Sequence, residues 1–319
     1  MARTKKTSRA KPQAKRSAAK GRTAAKKAAP KKAAPKKAVR PSAAPARAGA
    51  TAAKAQTFNQ PKPSESTIEI LGSKVFVRRG GVGEPLLFLH GAGGVPMWLP
   101  VFEQLAKSYH VIVPDHPLFG RSDTPEWLDD ISDMAYFYLD LLEKLDLRNV
   151  HLVGTSLGGW IALEVAVRSA ARLKSLTLVS AAGIHVKGVP KADIFMMNPE
   201  ETARALYVDD KLIQQMIAFQ PTPEQMDTIY KNRIATAKLG WQPRLFNPKL
   251  HKWLHRIKVP THIVWGDSDK IIPPTYGDAF KKLISGSKLT VIPNSGHLPH
   301  VERTQPFVSA VTGFLGKAA

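Results

Sequence analysis

From residue 66 onward the chain alternates short apolar runs of strand length with longer stretches of helical periodicity, and few folds accommodate that rhythm. The runs are TIEILG, KVFVRR, PLLFLHG (85–91), HVIVPDH (110–116), VHLVGTS (150–156), LKSLTLVSAAG (173–183), THIVWGDSD (261–269) and SKLTVIPNSG (287–296). Most end in glycine or a polar residue, as a strand does where it leaves a sheet. Residues 131–147, ISDMAYFYLDLLEKLDL, place apolar side chains at helical spacing and predict one amphipathic helix. Eight strands separated by helices predict an α/β fold with a mostly parallel sheet covered on both faces. In such a sheet, chemistry gathers at the carboxyl ends of the strands.

The first 64 residues follow a different logic. All 25 Asp and Glu lie at or after Glu65, so residues 1–64 carry a net charge of +19 and residues 65–319 only +3. The basic pI is therefore a property of the tail. Met1, Val39 and Phe58 are its only sizeable apolar side chains, too few to offset ordering entropy, which predicts disorder. The repeat KKAAPKKAAPKKAVR (26–40) interrupts any alanine helix with proline. Scattered lysines displace counterions from a polyanion without reading sequence. The opening MARTKKTSRA resembles a core-histone tail, and the repeat resembles linker-histone tails. Non-specific binding of DNA or another polyanion through residues 1–64 is one expectation, and a merely solubilising leader is the other. No apolar h-region follows the basic start, so a secretory signal and a membrane span are not expected. The expected location is the cytoplasm, with the nucleoid as a refinement and mitochondrial targeting as an alternative. The chain has no cysteine, which excludes disulfides and thiolate nucleophiles.

The strand ends carry the chemistry. VHLVGTSLGG places Ser156 in G-x-S-x-G between a buried strand and the helical run WIALEVAVR. Glycines at 154 and 158 permit a corner sharp enough to present a serine hydroxyl. Such a hydroxyl needs a base and a group to orient the base. His297 in NSGHLPH sits in a loop after a late strand, with His300 as the second choice. Asp267 and Asp269 in WGDSD compete as the orienting carboxylate. The chain order Ser, Asp, His is one of the known triad orders. LHGAGG (89–94) is a small-residue loop suited to an oxyanion hole, with Ala92 N–H and Leu157 N–H as the expected donors.

Taken together, His90-Gly91-Ala92-Gly93, PDHPLFGRSD (114–123), Gly154 to Gly159, WGDSD (265–269) and SGH (295–297) resemble the α/β-hydrolase superfamily over most of residues 66–316. The resemblance implies the α/β-hydrolase fold and makes Asp269, the last position of W-G-x-x-D, the catalytic acid. A serine at the elbow departs from the relatives that use an aspartate nucleophile.

Residues 184–258 are expected to form a helical cap inserted into a domain spanning 65–319. Phe195, Met196, Met197, Arg233 and Trp241 are candidate substrate contacts there, and Leu298 is another beside the histidine. His251 and His255 are spaced for a helical metal pair but lack a third ligand, so no metal and no cofactor are expected. The expected activity is hydrolysis of a small-molecule carboxylic ester through an acyl-enzyme. Meta-cleavage C–C hydrolases resemble the chain in length and cap placement, but they usually carry tryptophan where Leu298 stands. A catalytically idle scaffold tethered by its tail is the alternative from another class. Sequence leaves the oligomeric state open.

Overall fold

The computed structural model describes residues 63–318. The disorder expected of residues 1–64 therefore falls almost wholly outside the described residues. The first strand already begins at Ser64.

Eight strands form one sheet: β1 (Ser64–Ile70), β2 (Ser73–Gly80), β3 (Glu84–Leu89), β4 (Tyr109–Pro114), β5 (Val150–Thr155), β6 (Leu173–Val179), β7 (Thr261–Gly266) and β8 (Lys288–Ile292). Their spatial order is β1-β2-β4-β3-β5-β6-β7-β8. The β1–β2 and β2–β4 pairs are antiparallel, and every pairing from β4 through β8 is parallel. All eight match the apolar runs of the sequence.

Two helical layers cover the sheet, and the strand period of two sorts residues between them. Leu87, Leu89, Leu152, Ile263 and Trp265 face the layer holding α2 (Ile131–Lys144), α3 (Leu157–Arg168) and α7 (Thr275–Leu283). Their neighbours Leu86, Phe88, Val153 and Val264 face the layer of α1 (Pro100–Leu105) and α9 (Thr304–Leu315). With both faces buried, the central strands read as continuous apolar runs rather than alternating ones. Helix α2 starts at a capping box in which Asp130 accepts from Ser132 N–H and Asp133 N–H while Asp133 reaches back to Asp130. It ends at Lys144, three residues before the expected boundary, because Asp146 turns to φ +42°. Helix α3 buries all but its last residue, so it lies inside the domain rather than across its surface.

The segment between β6 and β7 is helical. It contains α4 (Pro199–Leu206), α5 (Asp210–Ala218), α6 (Pro223–Gly240) and two 3₁₀ turns, Leu250–Lys252 and Leu254–Arg256. Helices α4 and α6 each begin with proline at N1 behind a capping box, from Asn198 and from Thr222. A last short helix, α8 (Pro299–Glu302), follows the loop after β8. Among the described residues no helix is long and apolar enough to cross a membrane.

Candidate active site

Ser156 occupies the one-residue corner between β5 and α3 with φ +53° and ψ −114°. An L-residue held there stores about 1–3 kcal/mol of strain, which persists only if the surroundings enforce it. They do. A Cβ on Gly154 would overlap the carbonyl of Gly158, and one on Gly158 would overlap the carbonyls of Leu89 and His90. The glycines thus let β5, α3 and the end of β3 close together at the corner. Ser156 is partly exposed while its neighbours on both sides are buried, so the hydroxyl is what the corner presents.

Asp269, in the loop after β7, is 4 % exposed. Its Oδ1 accepts from Ile271 N–H and Ile272 N–H, both at 2.9 Å, which fixes the carboxylate plane. Its Oδ2 accepts from His297 Nδ1 at 2.8 Å. With Nδ1 donating to Asp269, Nε2 is the ring nitrogen of His297 left for other work. Asp267 does other work: it accepts from Asn294 N–H at 3.0 Å and Ser295 N–H at 3.2 Å, stapling the β7 loop to the β8 loop. The geometry therefore separates the two aspartates that the sequence left in competition.

His297 lies after β8, three strands from β5, yet its loop crosses back over the sheet. His300, one turn further, packs against Phe88 of β3 at 5.6 Å, and β3 is the direct neighbour of β5. Three residues after His297 the segment thus reaches β3, on the far side of β5 from β8. No hydrogen bond joins Ser156 Oγ to His297 among the described residues, and such contacts commonly tighten only with substrate bound. His300 is buried between Phe88 and Phe307, and desolvation, aided by the nearby His297, lowers its pKa to about 3. It is a neutral packing residue, and Asp269 orients His297 instead.

The loop after β3 faces the serine. A Cβ built on Gly91 would stand 3.3 Å from that of Ser156. Neither Ala92 N–H nor Leu157 N–H has a hydrogen-bond partner among the described residues. The first is a loop amide and the second a helix N-terminal one, so both are free to receive an oxyanion. Two buried imidazoles hold the loop from below. His90 Nδ1 donates to Gly91 O at 2.7 Å, and its Nε2 accepts from His116 N–H at 3.0 Å. His116 Nε2 in turn donates to His90 O at 2.9 Å and its Nδ1 accepts from Tyr138 O–H. Burial lowers the pKa of both rings, which keeps each in the single tautomer this chain of bonds requires.

Sequence reasoning missed two clasps. Asn232 on α6 donates to Gly93 O at 2.9 Å and accepts from Gly120 N–H at 2.9 Å, tying the cap to the oxyanion loop. Beside it, Lys231 donates to Gly120 O and Ser122 O. Glu302 accepts from Gly296 N–H at 2.6 Å, beside His297, and from Val208 N–H and Asp209 N–H between α4 and α5. His297 N–H itself donates to Leu206 O at 2.8 Å. Glu302 gave no signal, because its burial and its bonds to Val208 and Asp209 exist only in the fold. Asn232 gave none, because its partners are more than 100 residues away.

The expected cap contacts disperse. Arg233 is exposed, while its neighbours Lys231 and Asn232 make the inward bonds. Met196 is 73 % exposed. Phe195, partly buried against the larger core, packs edge to face at 5.2 Å with the exposed Trp241, and the Arg244 guanidinium lies over both rings. Met197 is partly buried against the larger core, and Leu298 is partly buried at the start of α8. His251 and His255 are exposed and sit on separate 3₁₀ turns, so they do not share the helical face their spacing implied.

Comparison with known proteins places this geometry. Residues 86–310 match the Alpha/beta hydrolase family. Lipase 1 of Psychrobacter immobilis is 30% identical over 247 residues, covering 72% of this chain and 76% of that one. Monoacylglycerol lipase ABHD6 of Mus musculus is 28% identical over 266 residues, covering 75% of this chain and 78% of that one. Among solved structures, a meta-cleavage product hydrolase from Pseudomonas fluorescens IP01 superposes with a TM-score of 0.67 at 22% identity, covering 80% of this chain and 98% of that one.

Proposed function

The chain belongs to the α/β hydrolase family and is lipase/esterase-like, and from that premise we infer that it is a serine hydrolase of small-molecule carboxylic esters. One observation carries the reading: the buried Asp269–His297 hydrogen bond, which orients an imidazole as a base in the loop after β8. Ser156 Oγ attacks the ester carbonyl while His297 Nε2 takes its proton. Ala92 N–H and Leu157 N–H receive the charge that develops on the carbonyl oxygen, each worth about 3–4 kcal/mol in the transition state. His297 then protonates the departing alcohol, and a water activated by the same nitrogen releases the acid and restores the serine. Asp269 keeps the ring in the required tautomer and stabilises the imidazolium.

Hydrolysis of p-nitrophenyl acetate and butyrate by the wild type and by Ser156→Ala tests the reading, and equal rates in the two proteins overturn it. A vinylogous dienone acid serves as the C–C substrate, and it is expected to turn over poorly. Kinship with lipases near 30% identity favours esters, whereas likeness to the meta-cleavage enzymes lies in the fold.

The +19 charge of residues 1–64 supports a second role, tethering the enzyme to DNA or another polyanion in the cytoplasm or at the nucleoid. Replacing the repeat lysines with glutamine should flatten the salt dependence of DNA binding in gel shifts. An unchanged slope removes the tether.

A further inference from the structure

A second concave surface lies at the far end of α3. The helix begins at the serine corner and ends at Arg168, about 18 Å along its axis. There a groove of about 570 Å³ opens between α2, the end of α3 and the two 3₁₀ turns. That volume lies within the range of small-ligand sites, about 300–1,000 Å³.

Its chemistry is cationic and aromatic. Residues 228–266 contain eight Lys and Arg and no acid, although residues 65–319 as a whole carry only +3. Two of those cations, Lys249 and Arg256, line the groove. Neither has an acidic partner among the described residues; Arg256 Nε donates to Val167 O, which fixes the guanidinium at the wall. The single acid in the lining, Glu164, is already consumed. It accepts from Trp160 Nε1 at 3.1 Å, Asn247 Nδ2 at 2.8 Å and Arg168 at 2.5 Å. Arg168 also lies over the Tyr136 ring at 5.1 Å, and its buried Nε has no partner. Tyr136 and Trp253 rise on the two sides, 55 % and 51 % exposed.

We propose that this groove binds single-stranded nucleic acid, with phosphates on Lys249 and Arg256 and a base against Trp253 or Tyr136. Unpaired cations flanked by exposed aromatic faces are the elements of a single-strand site, where stacking adds to charge without reading sequence. A bilayer would be met by a protruding apolar surface rather than by a recess. The inference goes beyond the proposed tail tether: the tail has many lysines and a single ring, Phe58, so its binding rests on charge.

That distinction supplies the test. Fluorescence anisotropy of the full chain with labelled (dT)12 and with an abasic 12-mer of equal charge separates stacking from charge. The wild type is expected to bind (dT)12 at least five-fold more tightly than the abasic strand. Trp253→Ala combined with Tyr136→Ala should bring that ratio close to one, with circular dichroism confirming an intact fold. Lys249→Gln with Arg256→Gln, which leaves both rings in place, should weaken binding of both strands and lower the salt slope by about one to two. Equal wild-type affinity for the two strands, or a preference that survives loss of both rings, overturns the proposal. So does Trp253-dependent binding to phosphatidylserine vesicles without any preference for (dT)12, which would make the patch a membrane contact.

Discussion

At the carboxyl edge of the sheet, backbone does the placing: Ser156 sits on a strained corner that glycine neighbours permit, and Gly91 of the loop after β3 lies close beside it. On the cap, side chains do the placing. Asn232 and Glu302 reach across loops to bond backbone that lies close to the reacting residues. The first arrangement is local in sequence and rigid once the strand and helix pack. The second joins segments 90 to 140 residues apart and holds only while the cap is docked. The difference teaches that the cap is more than a lining: it clamps both the oxyanion loop and the histidine loop.

The sharpest way to break the comparison is at the corner itself. Ser156→Ala should reduce ester turnover by at least about 10⁴-fold, because the other triad members cannot act without the nucleophile. Burst and steady-state kinetics on p-nitrophenyl butyrate read this directly.

The aspartates give the next largest contrast. Asp269→Asn should lower kcat by about 10³- to 10⁴-fold by disturbing the tautomer of His297. Asp267→Asn keeps an acceptor for only one of the Asn294 and Ser295 amides, yet, lying outside the Asp269–His297 pair, should cost less than about 10-fold. If the two variants lose activity equally, the roles assigned to them are wrong.

The cap clasps should matter less, and in a distinctive way. Asn232→Ala and Glu302→Gln are expected to lower kcat by about 10- to 100-fold with little change in KM, since a displaced donor or base is felt mainly in the transition state. A rise in KM at constant kcat would instead make the cap a substrate wall only.

The smallest effect is on stability. The pKa of His300 is about 3 in the fold against 6.5 when unperturbed. Between those values the unfolded chain binds a proton that the native chain does not. Its contribution to stability is thus complete above pH 6.5 and declines as pH falls toward 3. Denaturant titrations across pH 7 to 4 should show proton uptake on unfolding, and His300→Leu should remove about one proton from it.

How much of this was readable depended on the range over which each feature is encoded. The eight strands were visible because a strand buried on both faces writes an uninterrupted apolar run. The elbow was visible because a corner that tight demands small residues at fixed offsets from Ser156. The cap was visible only as a helical insertion. Its candidate contacts misled because exposure along α6 changes from residue to residue: Arg233 faces solvent while Asn232, one step earlier, is buried. The break between the two 3₁₀ turns likewise undid the helical spacing of His251 and His255.

By itself the sequence determined the sheet, the serine corner and the charge division at residue 64, because strand burial, backbone turning and net charge are set by residues close together in the chain. Only the tertiary structure joined Asp269 to His297 and Asp267 to the β8 loop, gave Asn232 and Glu302 their partners and gathered Tyr136, Trp253, Lys249 and Arg256 around one groove. Those outcomes depend on which loops meet after folding, and hydrogen bonds and ring contacts act over a few ångströms of space with no regard for separation along the polymer.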